Sequence, residues 1–420
     1  MLRLTRRAAV LGGAALALAA RSDVHAQPAA IPLSFWGGWT GPDGLAMQKL
    51  VARFNAETPD VRVTLTLYNW DLIFDRWRAR FDGGSPPDLV GIHATEVSEF
   101  AVGGMLREIG REARTFGLTA HQFLAAPWRR CQVRGGLYAI PLDVHPLSLY
   151  INARAARRVG LDPRDPPRSG GALLAWASRM TDRRRGQWGY AAPAGDVECF
   201  RQWYSLLYQN GGSFLDPQDA HCLADGVQGV QAFSFLRSLI TRLGIAMPAE
   251  GPVDADFLDE RVLMYPQGPW YIQGVRQAGI ELVTAPMPRI GPRPAVWANS
   301  HVLAVVNTQD TARVAAAMRF IAWIHDHGLD WAQAGQIPAG NAARTRLPDT
   351  AVWRHLRPFV AQLPHIVYQP SLLAGTSVFA EQLLTPVITA TRAAMLGQQT
   401  AYDAARSMTE GVDQALPPSF

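Results

Sequence analysis

Between Ile31 and Ile92 the apolar residues switch back and forth between two spacings, and that alternation leaves few folds open. Ile31-Pro32-Leu33-Ser34-Phe35-Trp36 reads as a strand that runs into the Gly-rich loop Gly37-Gly38-Trp39-Thr40-Gly41. Met47, Leu50, Val51 and Phe54 then fall at i, i+3, i+4 and i+7, one face of a helix, which Thr58-Pro59-Asp60 stops. Val61, Val63, Leu65 and Leu67 alternate with polar residues, the period of a half-buried strand. Asp71 is placed to cap a second helix carrying Ile73, Trp77 and Phe81, and Gly83 to Pro87 breaks it before the short apolar strand Asp88-Leu89-Val90-Gly91-Ile92. Strands alternating with helices predict a mainly parallel sheet flanked by helices, with ligands held in the loops after the strands.

The residues before this run predict export. Arg6-Arg7 precedes an apolar Ala/Leu-rich run from Ala8 to Ala20, and Val24-His25-Ala26 is a small-x-small cleavage site. The run falls short of the roughly 20 residues needed to span a bilayer. The Arg pair suggests the twin-arginine route. Residues 1–26 carry a net +3 of the chain's +5, so the remainder is near +2. So small an excess argues against a nucleic-acid binder, and Arg183-Arg184-Arg185 reads as a solvated loop. Cys131, Cys199 and Cys222 contain no CxxC and are too few for a disulfide scaffold or a common zinc pattern. A Cys199–Cys222 bridge after export and free thiols both remain open.

Further along, Gly136 to Leu142 leads through Asp143-Val144-His145-Pro146 into Leu147 to Asn152. Two strand-like runs joined through a proline suit a crossing between lobes. Helices are predicted near Leu173 to Met180 and over Phe233, Leu236, Ile240 and Leu243. Val302 to Val306 is a buried strand that feeds a helix bearing Val314, Ala317, Met318 and Ile321 on one face. This unit repeats the grammar of the first hundred residues, so the chain is expected to return to its first lobe. The tail from Val352 reads helical and apt to wrap the second lobe. The expected lobes are residues 27–143 with 300–350, and 144–299 with 351–420.

In this order and spacing, a set of short motifs resembles the bacterial extracellular solute-binding proteins of family 1, the sugar-binding subunits of ABC importers of maltose-binding-protein type. They are Phe35-Trp36-Gly37-Gly38, Phe54-Asn55 with Pro59, Pro87-Asp88-Leu89, Gly103-Gly104-Met105-Leu106, Gly136 to Pro141, Leu149-Tyr150-Ile151-Asn152, Gly211-Gly212, Gly268-Pro269-Trp270 and Ala334-Gly335-Gln336-Ile337-Pro338. The resemblance implies a two-lobed α/β periplasmic-binding-protein fold (type II), each lobe a mainly parallel sheet flanked by helices, with a hinge between the lobes. It also implies a soluble carbohydrate in the cleft, delivery to the transmembrane subunits of an ABC permease, a periplasmic monomer, and no catalysis, cofactor or metal. By position it places ligand contacts on Trp39 and Thr40, on His93, Thr95 and Glu96, on Asp143 or His145, near Trp203 or Tyr204, and on Trp270. Trp39 and Thr40 stand where maltose-type members carry charged residues, which counts against maltodextrin. Trp297-Ala298-Asn299-Ser300-His301 falls at the expected cleft floor.

Sugar recognition needs aromatic faces for the C–H side of the ring and charged or amide groups for the hydroxyls. Trp36, Trp39, Trp70, Trp203, Trp270 and Trp297 are candidates for the first role. Glu96, Asp143, His145 and Arg201 lead for the second, with His93, Asn299 and His301 behind them. His325-Asp326-His327 has the look of a metal motif, but residues two apart on a helix point in different directions. No GxSxG, HExxH, GxGxxG or phosphate-loop pattern occurs. A secreted glycoside hydrolase stays open, because its two carboxylates can lie far apart in sequence. So does a polyamine- or iron-type binding protein of the same fold.

Overall fold

A computed structural model describes residues 30–195, 197–216, 221–368 and 379–416. The expected leader and its cleavage at Ala26 lie outside the described residues. No helix among the described residues is long and apolar enough to cross a membrane.

Three main sheets organise the chain, and their strands are numbered here in chain order. The first third supplies β1 (Ile31–Gly37), β2 (Val61–Leu67) and β3 (Leu89–His93). The crossing region supplies β4 (Ile140–Pro141), β5 (Asp143–Pro146) and β6 (Ser148–Asn152). Next come β7 (Met264–Gln267), β8 (Leu282–Ala285), β9 (Val296–Asn299) and β10 (His301–Val305). The last are β11 (Ile337–Pro338) and β12 (Ile366–Tyr368).

The first sheet runs β2-β1-β3-β10-β4. β1 pairs in parallel with β2 and β3, as the strand–helix alternation requires. Helices Gly41–Glu57 and Trp70–Asp82 make the crossovers, and Met47, Leu50, Val51, Phe54, Ile73 and Trp77 are buried on their inner faces. The second helix begins after Asn69, so Asp71 is not its cap. β10 does return to this sheet, but it runs antiparallel to both β3 and β4. It feeds helix Thr311–Asp326, whose N-cap Asp310 accepts from the amides of Ala312 and Arg313. Phe320 of that helix packs edge-on against Phe35 and Phe54.

The second sheet, β7-β6-β8, corrects the expectation of a mainly parallel sheet in each lobe. Both of its pairings are antiparallel. Its strands are buried, so their sequences are apolar runs with no alternation from which to read direction. A third sheet, β11-β5-β9-β12, joins the crossing strands to the return segment and the tail.

Two large cores follow. One gathers Leu33, Phe35, Phe54, Val90, Ile92, Val302 and Phe320. The other gathers Leu149, Ile151, Phe200, Trp203, Phe233, Leu236 and Met264. Met395, Met408 and Val412 of the tail helices Phe379–Met395 and Ala401–Ala415 pack on the second core. A third cluster, with Val144, Tyr265, Ala298, Ile337 and Phe359, lies at the crossing strands. The helix expected through Leu243 ends at Thr241, and Leu243 is exposed while Leu239 is buried. The three cysteines are buried thiols. Arg183–Arg185 is an exposed single turn, as a solvated loop would be. His327 folds back onto Trp323, its ring 3.8 Å away.

Candidate ligand-binding site

The register of the crossing strands gathers the polar residues. β3 and β10 pair so that His93 faces His301, and β5 and β9 pair so that His145 faces Asn299. Side chains two apart on a strand share a face. Asp143 and His145 therefore lie on one side of β5, and Trp297 and Asn299 on one side of β9.

Asp143 is fully buried and anchors the group. Its Oδ1 accepts from the His301 backbone N–H (2.8 Å), and its Oδ2 accepts from Trp331 Nε1–H (2.9 Å). Nδ1 of His145 lies 3.1 Å from Oδ1, and Nδ1 of His301 lies 2.7 Å from Oδ2. As a carboxylate, Asp143 can only accept, so its contacts with the two rings are made by Nδ1–H groups. Burial alone would raise the Asp143 pKa, but His301 and His145 hold it well below the usual carboxylate range. Burial pushes His145 down to about 3, against the pull of Asp143. His93 is also lowered, chiefly by burial, although Glu96 opposes the shift. The His93 and His145 rings are thus neutral at neutral pH. His93 Nδ1 lies 3.5 Å from Glu96 Oε2, and Glu96 Oε1 accepts from Thr95 Oγ1 (2.8 Å). Asn299 Nδ2 donates to Thr95 Oγ1 (3.2 Å) and so ties the two halves together.

Aromatic rings form the walls. Trp70 opens its helix, 4.0 Å from the His93 ring and stacked on His301 at 5.5 Å and 9°. It reaches that place across Gly38, where a Cβ would come within 2.1 Å of the indole. On the other side Trp270 lies edge-on to His145 at 5.4 Å and folds over Gly268, where a Cβ would come within 2.0 Å. Tyr150 Oη donates to the Gly268 carbonyl (2.6 Å) and fixes that turn. The Arg201 guanidinium sits 4.3 Å over Trp297 and 5.3 Å over Trp270, and it pairs with Glu198. Arg201 projects from helix Val197–Gln209, whose other face is buried in the second core.

Of the expected residues, His93, Thr95, Glu96, Asp143, His145, Arg201, Trp270, Trp297, Asn299 and His301 are brought together. Three are not. Trp203 is a core residue: its Nε1–H donates to the Gly229 carbonyl (3.1 Å) and its ring stacks on Phe233 at 5.0 Å. Trp39 is buried beneath the wall, edge-on to Phe35, Trp70, His301 and Trp331. Thr40 is exposed at the start of helix Gly41–Glu57, outside the contacts that join the group.

Sequence reasoning missed Trp331, Tyr368 and Asp43, and it named Ser300 and Gln336 only within longer stretches, without a role of their own. Ser300 Oγ and Tyr368 Oη share a 2.6 Å hydrogen bond behind the floor. Asp43 Oδ2 accepts from Gln336 Nε2 (2.7 Å), and burial pushes the Asp43 pKa up to about 8. From sequence, Asp43 is an ordinary acid in a first helical turn, and nothing local marks its burial. Asp143, His145 and His301 also place potential metal-ligand atoms within 4.8 Å of one another.

The chain matches the family described as bacterial extracellular solute-binding protein over residues 49–342. It is 25% identical over 214 residues to the sn-glycerol-3-phosphate-binding periplasmic protein UgpB of Escherichia coli O1:K1, covering 49% of this chain and 48% of that protein. The chain thus spans about half the length of this curated relative. The fold is similar to that of a Thermotoga lettingae ABC transporter solute-binding protein bound to α-D-tagatose (TM-score 0.80, 19% identity, 92% of this chain and 100% of that one). It is also similar to maltose-bound MalE3 of T. maritima (TM-score 0.79, 20% identity, 92% and 100%). A third similar structure is UgpB of Mycobacterium tuberculosis with glycerophosphocholine (TM-score 0.80, 19% identity, 91% and 98%). These likenesses carry the two-lobed fold.

Proposed function

The chain belongs to the bacterial extracellular solute-binding proteins, and from that premise we propose that it captures a neutral carbohydrate or polyol between its lobes and hands it to an ABC permease. In this reading the lobes are residues 27–143 with 300–350 and 144–299 with 351–420. Residues 1–26 are an export leader, and the mature protein acts in the periplasm as a monomer without catalysis. The two separate cores on either side of the crossing strands support the division.

One observation carries the choice of solute. The Trp70 and Trp270 rings lie against the histidines of a floor rich in hydrogen-bonding groups, an arrangement that suits a ring with apolar faces and an equator of hydroxyls. Formal charge disfavours an anionic ligand. Arg201 is the positive group there, while Glu96, Asp143 and Glu198 are negative, and Arg201 is already paired. An anion such as a phosphodiester would meet an excess of negative charge. The same excess makes a polyamine the second reading.

A thermal-shift screen of the mature protein against sugars, polyols, glycerophosphodiesters and polyamines tests this, with reducing-sugar release followed in parallel. Stabilisation by one carbohydrate or polyol class without turnover is expected. Stabilisation by polyamines alone would move the protein to the second reading, and release of sugar from a glycoside would make it a hydrolase.

A further inference from the structure

Helix Gly41–Glu57 carries two stripes of residues. Met47, Leu50, Val51 and Phe54 are buried in the first core. Pro42, Leu45, Ala46 and Lys49 fall at i, i+3, i+4 and i+7, a second stripe on a neighbouring face of the helix. The core does not take up this stripe, and Leu45 is 57% exposed. The four residues instead line an open groove of about 440 Å³, within the size range of small-molecule sites. The rest of its lining comes from remote segments. Gln273 and Gln277 belong to helix Ile272–Gln277, whose Ile272 and Val275 are buried in the third cluster. Gln333 and Ala334 join the two helices, and Gln273 Nε2 donates to the Gln333 carbonyl. The next residue, Gly335, has φ +106°, and a Cβ there would come within 2.5 Å of the Pro269 carbonyl. The groove is thus built against the turn that carries Trp270, yet it shares no lining residue with the cleft contacts described above.

The charges along the groove leave one cation unanswered. Arg53 donates to Glu57 Oε1 and to Asp330 Oδ2, each at 2.8 Å. Lys49, the only lysine in the chain, makes no ion pair among the described residues. Arg276, which donates to Gln273 Oε1 (3.2 Å), adds positive charge beside it. An unpaired ammonium next to an exposed leucine, an alanine and a proline is the complement of an anion with an aliphatic body. The ammonium answers the charge, and the apolar stripe takes the chain out of water. We propose that this groove is a second ligand site, separate from the cleft, that takes a free monocarboxylate with a short aliphatic chain. An occupant that touches both helices ties the first core to the cluster at the crossing strands, so it favours the lobe arrangement in which the groove is complete. The inference holds whichever solute the cleft takes.

The test is a calorimetric titration of the mature protein with octanoate, with acetate and octylamine as controls. Acetate lacks the chain, and octylamine carries the opposite charge. The expected result is saturable binding of one octanoate per chain, with neither control competing. Lys49→Gln weakens octanoate by about fivefold, the upper range for an exposed ion pair. Leu45→Glu, at a position exposed enough to leave folding intact, abolishes binding by setting a like charge against the ligand, with circular dichroism unchanged. Trp270→Ala leaves octanoate affinity as it was. Because Lys49 is the only lysine, octanoate should also slow its acetylation, read by mass spectrometry of the labelled chain. Absence of saturable binding, equal binding of octylamine, or octanoate binding that survives Leu45→Glu but not Trp270→Ala would overturn the proposal. The titration uses no carbohydrate, so its failure leaves the solute reading standing.

Discussion

Trp203 lies in the second core and Trp270 packs against it, and their surroundings give them opposite roles. Trp270 is held over Gly268 beside Arg201 and His145. Trp270→Ala is expected to weaken solute binding by about 1–3 kcal/mol with little change in melting temperature, as calorimetry and a thermal melt on the same sample would read. Trp203→Ala is expected to cost about 3–5 kcal/mol of stability, measurable by denaturant unfolding, because it opens a cavity between Phe200, Phe214 and Phe233. The sequence offers little to separate the two beyond their setting: a Gly-Pro turn before one and an apolar helical stripe around the other. The polar residues were more legible. Asp143-x-His145 and Trp297-x-Asn299-x-His301 show the period of a strand face, and strand register brings the two stretches together. Trp331 and Tyr368 were not legible, because they reach the floor from segments remote in sequence and carry no motif of their own.

Helix Gly41–Glu57 illustrates how far an element can be read. Its apolar spacing and its stop at Thr58-Pro59 are local, and the structure reproduces them. The burial of Asp43 in its first turn is not local, since it depends on Gln336 arriving from the return segment. A carboxyl whose pKa rises from 3.8 to about 8 on folding binds its proton more tightly in the folded state. Its contribution to stability is therefore complete below about pH 4 and is lost as pH climbs through about 8, at up to about 1.4 kcal/mol per pH unit. Asp43→Asn is expected to remove that decline. Urea unfolding of both proteins at pH 5 and pH 8 should show the variant gaining on the wild type at the higher pH. An equal difference at both pH values would mean that Asp43 titrates normally. Strand direction was the other limit. Parallel pairing of β1, β2 and β3 follows from the crossover helices, whereas buried strands such as β6 and β7 carry no alternation that reveals their antiparallel pairing.

At the scale of the molecule, the chain makes one core, crosses at Asp143 to Asn152, makes a second, and returns through β9 and β10. The repeat of strand-then-helix grammar near residue 302 is what made the return legible, because it reproduces the pattern of the first hundred residues. Trp70 stacks on His301 and Trp270 meets His145 edge-on, so in the proposed division a motion of one lobe against the other shifts the two indoles relative to each other. Ligand that touches both lobes stabilises the closed arrangement by its differential affinity for it. Small-angle scattering should accordingly show a smaller radius of gyration at saturation, and an unchanged radius would count against closure. The most direct test of capture between the lobes is hydrogen–deuterium exchange with and without the carbohydrate found in the screen. Protection is predicted together at residues 93–96, 143–146, 197–202, 268–271 and 297–301, which reach the cleft from both sides. Protection confined to one lobe, or lying outside these segments, would contradict the account.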